Sequence, residues 1–526
     1  MKRTIHDTYC NPIVLPDYPN LQSLRETSAE LTPEEMMANR PDPWGRKGKT
    51  VYSESIFHGE TTQTNNMMSA IFAPGYGCQS ENDIRATADP SPYFFEGKWY
   101  LYPTCGVIYS SDDLVNWTPH HEPTWMPISA PMAPTVEECR GKYYATANGV
   151  PLHVADSPIG PWTRLGEWTL EDGREFSCAD PMIFADDDGR LYLYFGLGSA
   201  IFGAELDPAQ PNRVITFPKK LIAFNGRYPW ERYGSSNEDW SMGFVEGSWM
   251  VKNGNTYYLL YSCSGTEYYS YAMGCYVCDS PLGDFKLQPN NPVSCSREGL
   301  IKGGGHGGVV KGPKDTLWIF YTIPVYIDSA MERRIAMDPA GFDKDGNFFS
   351  QTGCAVPQWK PGVLERPELG NATELVPLTI FKPTKVSSYK DGHRSLNAID
   401  EALHTWWQPA PGDEAPELAV AFMGRYIASA VRILWKDIGL HFEKGVHPGA
   451  YQYVVEVARD NQTEEWITVV DASTNTVDLA VDYRTFDPVD CTRARIRILG
   501  APKGVTPGLL NFTVFGESAS KPNRQF

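Results

Sequence analysis

The sequence predicts an all-β protein whose larger part is a five-bladed β-propeller, and three observations predict it. Aromatic residues make up 13% of the 526, and 46 Gly and 42 Pro are spread along the chain rather than clustered. That mixture suits short strands joined by tight turns. A strand–turn–strand pattern of alternating apolar and polar residues recurs five times. A carboxylate stands just ahead of three of the five copies.

The first copy is "ATADPSPYFFEGKWYLYPT" followed by "CGVIYSSDDLVNW", and the second is "EECRGKYYATANG" followed by "PLHVADSPIGPW". The third runs "CADPMIFADDDGRLYLYFG" then "AIFGAELDP", and the fourth "VEGSWMVKNGNTYYLLYS" then "MGCYVCDSPLGDF". "VVKGPKDTLWIFYT" and "RRIAMDPAGF" make the fifth. The turn glycines Gly97, Gly141, Gly189 and Gly254 lie 44, 48 and 65 residues apart, and "NGRYPWERYGSSNEDWS" accounts for the longest interval. Each unit reads as one small antiparallel sheet, that is, a propeller blade.

The innermost strands of a propeller run in one direction beside the axis, so their first residues meet at one mouth of the channel. Those strands are expected to begin at Asp89, Thr135, Asp180, Glu246 and His306. Three of the five are acids. An unpaired buried carboxylate costs several kcal/mol, so packing alone does not call for acids there.

A formal net charge of -18 argues against a nucleic-acid partner and against an anionic membrane surface. "MKRTIHDTYCNPIVLPDYP" opens with two basic residues but no apolar run, and no membrane-length apolar stretch follows. Eleven scattered cysteines suit reduced thiols. A cytoplasmic address is expected, or a secreted one if a leader has been cut away. Cys275 and Cys278 form a lone CxxC in a strand-like run, where the two side chains face opposite sides. They read as two buried or half-buried thiols rather than half a zinc site.

On these residues the chain resembles glycoside hydrolase family 43, five-bladed propellers that remove arabinose or xylose from plant polysaccharides. The resemblance implies Asp89 as general base, Asp180 as the group that orients and tunes, and Glu246 as general acid. "GGGHGGVV" resembles the family's glycine-rich histidine segment and puts His306 in the channel, as a water-positioning group, a calcium ligand or a hydrogen-bonded core histidine. No cofactor is otherwise required. Arg334 is expected to pair with an active-site acid or to stand as an ordinary exposed blade charge, and Trp230 and Trp240 to offer faces for sugar rings or to pack between blades. The family commonly has Trp-Ala-Pro and an acid where this chain has "PMAPTVEE", which puts Thr135 in the substrate pocket.

After Gly346 the pattern changes. Residues 1–84 read as an N-terminal extension packing on the propeller, 85–350 as the propeller, and 351–377 as a Pro- and Gly-rich linker. Residues 378–518 resemble the discoidin-like C-domain of coagulation factors, a galactose-binding-like β-sandwich, and 519–526 form a tail. "NAIDEALHTWW" carries that likeness, with Trp407 expected in its core and Asp400 near a structural calcium.

The resemblance therefore implies an inverting exo-glycosidase acting on short plant-derived oligosaccharides. A galactofuranosidase on the same fold is the alternative, and so is a non-catalytic carbohydrate-binding propeller that would be expected to have lost an acid. Retaining fructosidases place their Asp in an Asn-Asp-Pro context, and Ala88 precedes Asp89 here.

Overall fold

The computed structural model describes residues 3–16, 87–104, 107–120, 132–325, 332–441, 444–460 and 465–519. Most of the N-terminal extension assigned to 1–84 and the tail from 520 lie outside the described residues. What is described consists of strands and turns, with only short 3-10 turns between them.

Five sheets, antiparallel except for one pairing in the third, follow one another between residues 88 and 350. Their first strands are Ala88–Phe95, Thr135–Cys139, Met182–Ala185, Phe244–Asn253 and Gly305–Lys311. Each lies against the next, and the last against the first, so the five close a ring about one axis. Four of the sheets are regular four-stranded blades, and the third has seven strands. The expectation of five equivalent blades is corrected at that position. The hairpin of Trp168–Thr169 and Glu175–Phe176 joins the third sheet through a parallel pairing of Thr169 with Arg213. Lys219–Ala223 pairs with Ala200–Asp207 in the same sheet. These additions cover backbone that would otherwise form an open edge.

Aromatic side chains hold the blades to one another. A buried phenol needs a partner for its hydroxyl, and the repeat supplies one from the neighbouring sheet. Tyr102 of the first blade donates to Pro158 O at 2.8 Å, and Tyr194 of the third donates to Pro281 O at 2.9 Å. Both acceptors lie in an Asp-Ser-Pro turn of the next blade. Tyr258 of the fourth blade likewise reaches Gly346 O in the fifth, at 2.6 Å. Tyr93 of the first blade meets Trp249 of the fourth at 5.2 Å between ring centroids. These blades are not neighbours in the ring, so the contact crosses the axis and fills it. Cys275 is buried and Cys278 half-buried, both free thiols, as the spacing predicts.

The N-terminal segment is a strap. Thr8–Tyr9 pairs with Gln358–Trp359, and Ile13 N–H donates to Ile335 O in the fifth blade. Tyr9 and Leu15 are buried in one apolar cluster with Trp117 and Trp318.

From Val376 onward a seven-stranded sheet folds over on itself. The start of Glu417–Ile438 pairs with Arg493–Arg497, and its later part pairs with Val481–Cys491. Register breaks between Ala421 and Tyr426 let both long strands bend from one layer into a second. Thr384–Val386, Gln452–Ala458 and Ile467–Ala472 extend one layer; Thr506–Ser518 and Val376–Pro377 extend the other. Leu418, Val420, Val431, Ile433, Val455, Phe512 and the fully buried Trp407 fill the space between, giving a β-sandwich. Asp400 accepts hydrogen bonds from Thr405 Oγ1 at 2.7 Å and Ala402 N–H at 2.9 Å, so it caps a turn.

Sandwich and propeller share a core, in which Leu403, Leu434, Val481 and Leu510 belong to the same apolar cluster as the blade residues. At this junction Arg432, wholly buried, donates to Ala355 O at 2.6 Å, Asn11 O at 3.2 Å and Glu401 Oε2 at 2.9 Å. One cation thus ties the strap, the 351–377 segment and the sandwich together.

Candidate active site

Each first strand enters the ring through a left-handed residue. Asp89 has φ 48°, Ala133 47°, Asp180 44°, Gly247 57° and His306 31°. For the four residues that carry a side chain, this backbone costs about 1–3 kcal/mol apiece. Three of the five are followed by proline, which has no N–H to give to a ladder. In the first, fourth and fifth blades the pairing slips at that point, between Ala88 and Ser91, Glu246 and Trp249, and Gly305 and Gly307. A bulge of this kind re-aims the side chain at the end of a strand. Here the bulges lie at Asp89, Glu246 and His306.

The kinks free backbone N–H groups, and the preceding blade satisfies them. Thr322 Oγ1 accepts from Asp89 N–H at 2.8 Å, Thr104 Oγ1 from Ala133 N–H at 2.7 Å, and Ser262 Oγ from His306 N–H at 2.6 Å. Asn148 Oδ1 accepts from Asp180 N–H. The third blade has Gly196 after its second strand, where a Cβ would lie 2.1 Å from Ala200 O. With no side chain at the end of that blade's second strand, Gly247 N–H donates instead to Asp180 Oδ2, at the entrance to the same blade, at 3.3 Å.

The acids meet at one mouth. Asp89 and Asp180 are each 5% exposed and Glu246 is 7% exposed. His306 Nδ1 lies 3.3 Å from Asp89 Oδ1 and 3.6 Å from Asp180 Oδ2. Donor atoms of Asp180, Glu246 and His306 all fall within 4.8 Å of one another. The glycines of the two motifs make room for this: a Cβ on Gly247 would come 2.8 Å from His306 Cγ.

The electrostatics separate two of the three carboxyls. Burial pushes Asp89 up, but Arg333, His306 and the hydroxyl of Thr104 outweigh it and hold the carboxyl below its ordinary value. Arg333 Nη1 donates to Asp89 Oδ1 at 3.2 Å and Thr104 Oγ1 to Oδ2 at 2.6 Å. Because Thr104 already accepts from Ala133 N–H, its own proton is directed to Asp89. Glu246 is pushed well above its ordinary value, first by burial and then by the charge of Asp180. Asp180 is itself raised, by burial and by Asp89, against the pull of His306.

Of the remaining expected residues, Arg334 is corrected to its neighbour. Adjacent residues of a strand face opposite sides, and Arg334 donates to Glu332 Oε1 at 2.9 Å while Arg333 takes the acid. Thr135 is 1% exposed, with its hydroxyl 2.8 Å from that of Tyr93, so it lies in the core between blades rather than in a pocket. Trp230 stacks on Tyr228 at 5.2 Å and donates to Tyr261 OH at 3.2 Å, which makes it a packing residue. Trp240 is 70% exposed. Sequence reasoning missed Arg333, Thr104 and Tyr271, whose hydroxyl lies 2.5 Å from Glu246 Oε1. A polar residue recurring at the end of the second strand (Thr104, Asn148, Ser262, Thr322) is the signal that could have found Thr104.

Calcium takes six to eight oxygen ligands at about 2.3–2.6 Å. Asp180, Glu246 and His306 offer three donors, one of them nitrogen, and Glu246 also carries the Tyr271 hydroxyl. These residues do not compose a calcium cage.

Buried carboxyls with divergent proton affinities, at the mouth of a propeller whose axis is filled beneath them, are the equipment of a glycoside hydrolase. The family model described as "Glycosyl hydrolases family 43" matches residues 79–348, more than half of the chain, and the chain belongs to that family. A Beta-D-galactofuranosidase from Aspergillus niger is 27% identical over 305 residues, covering 51% of this chain and 82% of the relative. A Xylosidase/arabinosidase from Bacteroides ovatus is 27% identical over 256 residues, covering 38% and 76%. An Arabinoxylan arabinofuranohydrolase from Bacillus subtilis is 27% identical over 258 residues, covering 38% and 47%. Among solved structures, a thermostable family-43 glycoside hydrolase overlays with TM-score 0.46 at 25% identity, over 52% of this chain and 96% of its own.

Proposed function

We propose that the chain is an inverting exo-glycosidase releasing arabinofuranose or xylose from oligosaccharides, with Glu246 as general acid and Asp89 as general base. The observation that carries this reading is the divergence of the two carboxyls. Asp89, held low by Arg333, His306 and Thr104, is ionised and fit to deprotonate water. Glu246, raised by burial and by Asp180, keeps a proton to donate. Inversion needs the pair on opposite sides of the reacting carbon, with about 6.5–9.5 Å between them for the water. The first and fourth blades, which are not neighbours in the ring, suit such an arrangement.

The pentose reading draws on the names of two relatives, a Xylosidase/arabinosidase and an Arabinoxylan arabinofuranohydrolase. One observation favours a second sugar: the relative with the longest match quoted above is a Beta-D-galactofuranosidase. Galactofuranose differs from arabinofuranose by one carbon. A panel of 4-nitrophenyl α-arabinofuranoside, β-xyloside and β-galactofuranoside, followed by proton NMR of the first-formed sugar, decides among them. Release of a pentose as the inverted anomer is expected. Galactofuranose alone would shift the substrate class, and a retained anomer would remove Asp89 as base. Sugar binding without turnover would favour the non-catalytic reading.

Asp180 we read as the group that tunes Glu246. Its negative charge raises the acid, so Asp180→Asn lets Glu246 lose its proton at lower pH. The alkaline limb of the pH–rate profile is expected to move to lower pH. A limb that stays in place would leave Asp180 with positioning alone, through its contact with Gly247 N–H.

The C-terminal sandwich we read as a discoidin-like module whose first task is to brace the catalytic domain. The apolar cluster it shares with the blades and the buried Arg432 junction support this.

A further inference from the structure

Glu246 has a partner that none of its neighbours in sequence supplies. Tyr271, at the entrance to the strand Ala272–Cys278, is 0% exposed, and its hydroxyl donates to Glu246 Oε1 at 2.5 Å. Burial and the nearby carboxyls push the phenol well above its ordinary value, so it keeps its proton and acts as the donor. The ring is held against the glycine-rich loop. A Cβ on Gly305 would come 2.4 Å from the Tyr271 ring, so the last glycine before His306 is required by the tyrosine that packs there.

We propose that Tyr271 is a positioning residue for Glu246, a role that rests on Glu246 being the general acid. The phenol occupies Oε1, so the transferable proton is carried by Oε2. In the reaction that proton passes from Oε2 to the glycosidic oxygen as the bond to the anomeric carbon breaks. The bonding pair leaves with that oxygen, and the water deprotonated by Asp89 supplies the new hydroxyl. Tyr271 gives up nothing: its hydrogen bond begins on a neutral carboxylic acid and ends on a carboxylate. A hydrogen bond to an ionised acceptor is about twice as strong as a neutral one. The contact therefore stabilises the transition state more than the ground state, which is the condition for raising kcat.

The test is Tyr271→Phe, assayed on a 4-nitrophenyl glycoside and on the methyl glycoside of the same sugar. Nitrophenolate needs little protonation to leave, whereas methanol needs it fully. On the methyl glycoside kcat is expected to fall about 10- to 100-fold, the range for one charge-assisted hydrogen bond, with a much smaller loss on the nitrophenyl substrate. In a Glu246→Gln background, adding Tyr271→Phe should cost no more than about 3-fold, since coupled residues are not additive. Equal losses on both aglycones, or a full second loss in the Gln background, would overturn the proposal. Should Tyr271→Phe fail to fold, Gly305→Ala retains the hydroxyl but displaces the ring, and the same split between aglycones is expected of it. Absence of that split would count equally against the proposal. If Glu246→Gln itself shows no split, the acid assignment has failed; if it does and Tyr271→Phe does not, only the role of Tyr271 has.

Discussion

Asp89→Asn is expected to lower turnover by about 10²–10⁴-fold, the usual contribution of a general base, and to do so equally on good and poor leaving groups. The base acts on the incoming water, so its loss is blind to what departs. The substitution is also gentle. Asn keeps the shape and its carbonyl can still accept from Arg333 Nη1, while the Thr104 hydroxyl, which donates to the parent carboxylate, has to turn its proton away to accept from the new amide. The fold should survive, as a thermal melt would show. The measurement is kcat/KM on nitrophenyl and methyl glycosides side by side. A loss under about 10-fold, or one confined to the methyl glycoside, would move the base elsewhere.

The repeat made the ring legible because each blade repeats the same alternation around a Gly turn, and alternation is what burial on one face demands. The acids were legible for a related reason: they stand at the entrances of their blades, where packing alone would favour an apolar residue, Asp89 and Asp180 at the left-handed position and Glu246 one residue before it. The seven-stranded third sheet was not. Its extra hairpin, Trp168–Thr169 with Glu175–Phe176, is too short to leave a period in the sequence. Arg333 and Arg334 show a sharper limit. A sequence puts an arginine at the closing blade, but which of two adjacent arginines faces the axis depends on a register that is off by nothing or by one. Tyr271 left no signal at all, since an aromatic residue before a strand is ordinary in this chain. Its partner Glu246 lies 25 residues away, and only the folded blade brings them together.

Glu246→Gln is expected to produce the largest split between substrates. The amide keeps the size of the side chain and can still accept from Tyr271, but it has no acidic proton to give. Methyl glycosides and oligosaccharides should lose about 10²–10⁴-fold, the contribution of a general acid, because an alkoxide is too poor a leaving group to depart unprotonated. Nitrophenyl substrates should be partly spared. The pH profile carries a second consequence. Glu246 is held well above the ordinary carboxyl range, first by burial, then by Asp180, and as the proposed acid its deprotonation with rising pH is expected to set the alkaline limb of the parent enzyme. In Glu246→Gln that limb should flatten on the nitrophenyl substrate, while the acidic limb, assigned to Asp89 as the proposed base, should stay where it was. An alkaline limb that persists unchanged would assign it to another group, and equal losses on both aglycones would mean that the proton comes from somewhere else.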